Sequence, residues 1–182
     1  MKKKLSLSIL SLCLLSSLNA YEINGDLGVQ WTGFKTEKKV AVSGSFNEIN
    51  LDIKKSESLS EFLKSANVTI NSISLESKNE GRNKSITSTL FALATAKDIK
   101  GAISEVNEAE KTLSLNVTMN EVTKAVPMTY EIVDGKIIAK GAIEILDYNL
   151  SGSFLAFAKE CAAHHENKSY SDVNIEFTIP FK

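Results

Sequence analysis

Asp172-Val-Asn-Ile-Glu-Phe-Thr-Ile-Pro-Phe181 alternates without a break. Val173, Ile175, Phe177, Ile179 and Phe181 are apolar, and Asp172, Asn174, Glu176 and Thr178 between them are polar. Successive side chains of a strand point to opposite faces, so this run has one greasy face and one wet face. Residues 112–119 repeat the pattern, with Leu113, Leu115, Val117 and Met119 set against Thr112, Ser114, Asn116 and Thr118. Val40, Val42, Gly44 and Phe46 begin a third run, but its apolar set then moves to Ile49, Leu51 and Ile53. A β-bulge near Asn47 and Glu48 accounts for that change of parity. Val68 and Ile70, followed by Ile73 and Leu75, make a similar slip, and bends of this kind help a sheet curl. Asp134-Gly135, between residues 128–133 and 136–146, is a hairpin signal because both turn positions tolerate positive φ. Residues 27–35 and 97–105 add further strands. The sum is about eight in antiparallel order, an all-β chain whose strands suit either a closed barrel or a sandwich.

Helices are few and short. Ser58-Leu-Ser-Glu61 is a capping-box pattern that starts a turn or two through Phe62, Leu63 and Ala66. Residues 83–93 form a second candidate, with an apolar Leu90-Phe91 pair. Phe154, Phe157, Ala158 and Cys161 recur at helical spacing after Ser151-Gly-Ser153, which predicts a third helix to about Ala163. Its apolar face must lie on the sheet or close one end of a barrel. The remaining sequence contains no linker, internal repeat or low-complexity segment.

Ahead of these runs stands a leader. Lys2, Lys3 and Lys4 form a basic start, the apolar stretch from Leu5 to Leu18 is too short to cross a bilayer core of roughly 30 Å, and Asn19-Ala20 offers a small residue at the cut. Residues 1–20 therefore read as a signal peptide cleaved after Ala20, residues 21–182 as one domain, and the destination as the periplasm or the exterior. Cys13 follows Leu12 within the apolar stretch, which argues against a lipid-anchored cysteine. The leader holds three of the 21 basic residues and none of the 22 acidic ones, leaving a formal charge of −4. That balance argues against a nucleic-acid surface, which needs clustered Lys and Arg.

Cys161 is then the lone cysteine, either buried and inert, paired with another chain, or redox-active. Cys161, His164 and His165 lie close in sequence, and thiolate with imidazole can bind zinc or form a nucleophile. On a helix, however, His165 lies one turn from Cys161 while His164 faces partly away, and the chain has no other His to complete a site. There is no G-x-S-x-G, no H-E-x-x-H and no glycine-rich phosphate loop. No catalytic residue, metal site or tightly held cofactor is predicted. Five N-x-[ST] sequons occur, at Asn67, Asn83, Asn116, Asn149 and Asn167, and Asn149 has Asp147 two residues before it, as in an extended acceptor for bacterial glycosylation.

Gln30-Trp-Thr-Gly-Phe-Lys-Thr36, followed by Lys39-Val-Ala-Val-Ser-Gly-Ser-Phe46, resembles the opening of the YceI-like family of periplasmic lipocalin-like proteins. Residues 66–77, then Arg82 and the Leu90-Phe91 pair, resemble its middle segment. Cys161, His165, Lys168-Ser-Tyr-Ser-Asp-Val173 and the last strand resemble the close of its longer members. Two departures stand out: Leu27-Gly28-Val29 where many members have a His-Ser pair, and Asn83 where an acidic residue usually follows the arginine. The resemblance implies an eight-stranded antiparallel lipocalin-like β-barrel with a few short helices, binding a polyisoprenoid or other long-chain amphiphile. Such a barrel has room for core side chains or one slender ligand. Burying about twenty carbons at ~0.8 kcal/mol per methylene yields a gross ~16 kcal/mol, from which ordering the chain subtracts heavily.

The inward sets name the candidate pocket: Val42, Phe46, Leu115, Val117, Met119, Ile143, Phe177, and Phe154 and Phe157 from the helix, with Trp31 and Phe91 near the mouth. Tyr130, Asn116 or Arg82 could supply polarity at a head group. Two function classes follow. One is a periplasmic carrier or scavenger of an isoprenoid, a quinone-type ligand included. The other is a non-enzymatic interaction or stress-associated protein whose barrel is filled by its own side chains. Either admits a homodimer.

Overall fold

The computed structural model describes residues 20–182, and the signal-peptide reading of residues 1–20 falls, apart from Ala20, outside them. Ten strands form one antiparallel sheet: β1 (Gly28–Lys35), β2 (Val40–Phe46), β3 (Ile49–Asp52), β4 (Asn67–Asn71), β5 (Leu75–Glu76), β6 (Asp98–Asn107), β7 (Thr112–Met119), β8 (Val122–Val133), β9 (Lys136–Glu144) and β10 (Asp172–Pro180). Their order is β3-β4-β6-β7-β8-β9-β10-β1-β2-β5. Ten replaces the expected eight because two long strands are each interrupted. The break between β2 and β3 falls at Asn47 and Glu48, where the parity of the apolar residues changes. The break between β4 and β5 is a single 3₁₀ turn, Ser72–Ser74, held by the Asn71 side chain accepting from Ile73 N.

The first interruption also closes the sheet on itself. β2 pairs with β1, while β3, the continuation of the same segment, pairs with β4 at the opposite end of the strand order. The Asn47 N–H donates to Ser74 O at 2.9 Å and Asn71 N donates to Glu48 O at 3.1 Å across that seam. No strand of a closed sheet is left with an unpaired row of donors along its whole length, which also blunts edge-to-edge association.

Local sequence explains the remaining elements. Asp134 and Gly135 carry φ of 49° and 69°, the left-handed pair a two-residue hairpin requires. Helix α1 (Leu59–Lys64) is capped by Ser58, whose hydroxyl accepts from Glu61 N at 3.3 Å. Helix α2 (Glu80–Ser85) begins three residues before the expected start, because the Asn79 side chain accepts from Arg82 N at 2.8 Å and so caps it. It widens into a π-helical turn, Ile86–Phe91, where Thr87 Oγ1 donates to Asn83 O and Thr89 Oγ1 to Ser85 O, drawing carbonyls off the regular ladder. Helix α3 (Ser151–Glu160) leads into a 3₁₀ turn, Ala162–His164.

The two ends of the barrel differ. β9 and β10 run antiparallel over nine residues each, about 30 Å at the usual rise. At one end the Asp134-Gly135 turn sits beside Phe181, the Tyr21 ring meets Phe181 at a tilt with centroids 5.5 Å apart and stacks on Phe62 of α1 at 6.0 Å, and Phe62 and Leu63 are wholly buried. That end is plugged. At the other end α2, the π-turn, α3 and the tail 161–171 gather over the strand ends, with α3 packed on the π-turn.

Candidate functional site: an apolar cavity with a cationic mouth

Between the plug and the helical end lies a cavity of about 220 Å³. Nine of the ten strands, all but β8, contribute to its wall, mostly through their inward parity because curling the sheet turns one face of each strand inside, while Gln30, Phe34, Lys100 and Glu176 of the other parity also border it. Val173, Ile175, Phe177 and Ile179 supply the β10 wall, and Leu115, Val117 and Met119 the β7 wall. Of the twelve pocket residues expected from sequence, eleven line this cavity: Trp31, Val42, Phe46, Phe91, Leu115, Val117, Met119, Ile143, Phe154, Phe157 and Phe177.

Tyr130 is the exception, and the reason is height rather than parity. It pairs with Ala139 on the hairpin whose tip lies at the plugged end, and is buried there with the Lys111 ammonium 5.6 Å from its ring centroid. Among the described residues its hydroxyl has no hydrogen-bond partner. Burial, with the negative charge of Glu108 adding to it, pushes its phenol up. Asn116, the second expected polar residue, is on the outward parity of β7 and is absent from the cavity wall. Arg82, the third, lines it.

The helical end supplies the cover. Phe154 and Phe157 of α3 lie with ring centroids 6.3 Å apart over the cavity, and Cys161, one turn on, completes that face. Trp31 reaches across from β1 because Gly44, its partner on β2, has no side chain: a Cβ there would stand 2.4 Å from the indole Cζ2. The indole Nε1 donates to Ser45 O at 3.4 Å.

Polar groups gather at this end alone among the cavity's inward side chains. Lys35 follows Val29, Trp31 and Gly33 in the inward parity of β1, and its Nζ lies 3.5 Å from His164 O. Arg82 donates from Nη1 to Ser77 O at 3.3 Å. His165 shares a 2.7 Å hydrogen bond between Nδ1 and Ser169 Oγ and sets its ring edge-on to Phe157 at 5.6 Å. Burial, and after it the positive charges of Lys35, His164 and Arg82, hold the His165 imidazole below its ordinary range. Burial likewise pushes the Cys161 thiol up, against a smaller opposing effect from a hydrogen bond with Ser85. Sequence reasoning missed Lys35 and Tyr170 as wall residues, and it considered His165 only as a metal ligand, a role it set aside, and not as part of the cavity wall. For Lys35 a signal existed, since a lysine in step with three inward residues at a strand end marks a rim. Tyr170 had none, because it reaches the wall through a tail 135 residues further on.

Chemically this arrangement can hold a slender apolar chain and meet a polar head at one end. The Cys161 thiol in its wall is a weak nucleophile at neutral pH, because burial favours its protonated form. Among the described residues no group of three or more His, Cys, Asp or Glu side chains is placed to hold a metal ion, and no helix is long and apolar enough to cross a membrane.

The sequence profile of the YceI-like domain matches residues 21–181. No curated protein matches the chain in sequence. Among solved structures, the chain is similar to BcnA of Burkholderia cenocepacia, with a TM-score of 0.60 at 16% identity over 87% of this chain and 98% of that one. It is also similar to a polyisoprenoid binding domain from Saccharophagus degradans implicated in plant cell wall breakdown, with a TM-score of 0.61 at 15% identity over 90% and 98%. The YCEI protein of Campylobacter jejuni superposes with a TM-score of 0.51 at 18% identity over 73% of this chain and 80% of that one. At these identities the likeness establishes the fold.

Proposed function

The chain belongs to the family of YceI-like domains, and on that premise we propose that it is an exported, non-enzymatic binding protein holding an isoprenoid or another long-chain amphiphile inside its barrel, as carrier or scavenger. The observation that carries this reading is the cavity of about 220 Å³, plugged at one end, walled by apolar side chains and polar at its mouth. A barrel filled by its own side chains would close this space, since protein interiors pack to the density of organic crystals. A chain entering it gains ~0.8 kcal/mol for each methylene buried. A relative described as a polyisoprenoid binding domain shares the fold, which agrees with an extended ligand. An isoprenoid quinone is one member of that ligand class, and a carrier of it would serve electron transfer outside the cytoplasm.

Export is supported by the three lysines and short apolar stretch ahead of the domain, and by a family match that begins at Tyr21. Intact-mass analysis of a periplasmic fraction is expected to give a chain starting at or near Tyr21, whereas a full-length, membrane-retained product contradicts it. For the ligand, native mass spectrometry of protein purified without detergent is the direct test. A stable adduct that partitions into organic solvent supports the carrier. A bare chain that also takes up no added long-chain lipid favours the interaction protein.

A further inference from the structure

We propose that the mouth formed by Lys35, Arg82 and His165 selects amphiphiles with an anionic head, a carboxylate or a phosphate, over neutral ones of the same chain length. This deepens the carrier reading and rests on it. The three side chains belong to β1, α2 and the tail, segments that converge on one rim of the cavity. Two of them carry fixed positive charge, and arginine in particular keeps its charge in any protein setting.

Their hydrogen-bond partners are neutral. Lys35 Nζ meets the His164 carbonyl at 3.5 Å and Arg82 Nη1 the Ser77 carbonyl at 3.3 Å, and among the described residues neither cation forms an ion pair. The carboxylates at this end are engaged or turned outward. Asp172 pairs with Lys39 at 3.7 Å, Glu176, which borders the cavity, pairs with Lys140 at 3.6 Å, the Glu76 carboxylate accepts from Lys78 N, and Glu160 stands exposed on α3. The residue beside Arg82 is the neutral Asn83, whose Oδ1 is already occupied by Ser77 N at 2.9 Å and Ser77 Oγ at 2.6 Å. Two half-buried cations without a counter-charge, facing an apolar cavity, leave an anion's place open. A single long-chain anion satisfies both features, its tail in the cavity and its charge at the rim. Partial burial strengthens that attraction relative to open water.

Trp31 is the sole tryptophan and lines the cavity, so its fluorescence reports occupancy. After extraction of any resident lipid, the full mature chain is titrated at about pH 8, where both acids are ionised, with palmitate, hexadecyl phosphate and hexadecanol. Palmitate or hexadecyl phosphate is expected to bind at least about tenfold more tightly than the alcohol, a difference of ~1.4 kcal/mol. The two acids between them tell a carboxylate from a phosphate preference. The Lys35→Gln/Arg82→Gln double variant is expected to erase that ratio by weakening the acids while leaving the alcohol unchanged. Should the double variant fail to fold, each single variant and the wild-type ratio itself carry the test. Equal binding of acids and alcohol overturns the head-group inference and leaves the carrier standing. Failure of all three to bind overturns the carrier reading beneath it.

Discussion

The indole of Trp31 lies directly on the backbone of Gly44, where a Cβ would stand 2.4 Å from Cζ2 and 2.5 Å from the Glu76 carbonyl oxygen. Position 44 thus meets a ring on one side and a strand on the other, and neither can yield cheaply. Gly44→Ala is expected to cost ~1–3 kcal/mol, as overpacking does, and to shift the Trp31 emission as the ring is pushed into the cavity. Chemical denaturation followed by fluorescence measures both. An alanine variant with unchanged stability and spectrum would show that the ring moves freely.

Val117 points into the cavity from β7, buried and opposite Gly101 on β6. Val117→Trp is expected to occupy ligand space: lipid recovered by extraction falls several-fold while the thermal midpoint stays close to that of the wild type. A filled barrel responds the other way, with a stability loss of ~1–3 kcal/mol and nothing to displace. The pair of measurements therefore reports on the cavity as well as on the residue.

Cys161 closes the α3 face of the cavity, and its burial pushes the thiol pKa up. Alkylation of the native protein by a polar reagent is expected to be slow and to speed up on unfolding. Cys161→Ser exchanges the buried thiol for a hydroxyl that must be desolvated but has Ser85 beside it to bond, so it is expected to cost ~0.5–2 kcal/mol, with lipid content unchanged. Elemental analysis of the wild type is expected to find less than stoichiometric zinc or copper. About one equivalent of either metal, absent from His165→Ala, would make the tail a metal site instead.

How far the sequence could be read depended on the range of the interaction. Period two located β7 and β10, the Asp134-Gly135 pair located a hairpin, and both changes of apolar parity fall where the chain breaks a strand, because each is a local property of successive residues. Closure into a barrel followed from the family resemblance and not from alternation, since it rests on β3 meeting β4 while β2 meets β1, a choice between partners that alternation alone does not make. The same limit explains Tyr130. Parity placed it inward correctly, but parity carries no information on height along the barrel, and Tyr130 lies at the plugged end. The cationic mouth was the least legible feature, because Lys35, Arg82 and His165 come from three distant segments that meet only in the fold.

Tyr148 ends the 3₁₀ turn that follows β9 and is almost wholly buried, with its carbonyl accepting from Asn120 Nδ2 at 3.1 Å. Burial disfavours the phenolate, and with the negative charge of Asp147 adding to it the phenol is pushed up from 10.0 to about 12. A folded-state pKa above the unfolded value means that the unfolded chain loses its proton first. Stability linked to this group is therefore complete below pH 10.0 and declines from there through about pH 12. Denaturation curves across that window are expected to show a steeper fall for the wild type than for Tyr148→Phe, which has no proton to release. Absorbance near the phenolate band should show one fewer late-titrating tyrosine in the folded variant than in the folded wild type, in which the Tyr130 phenol is also pushed up. Parallel pH profiles for the two proteins would mean that Tyr148 ionises without unfolding the turn.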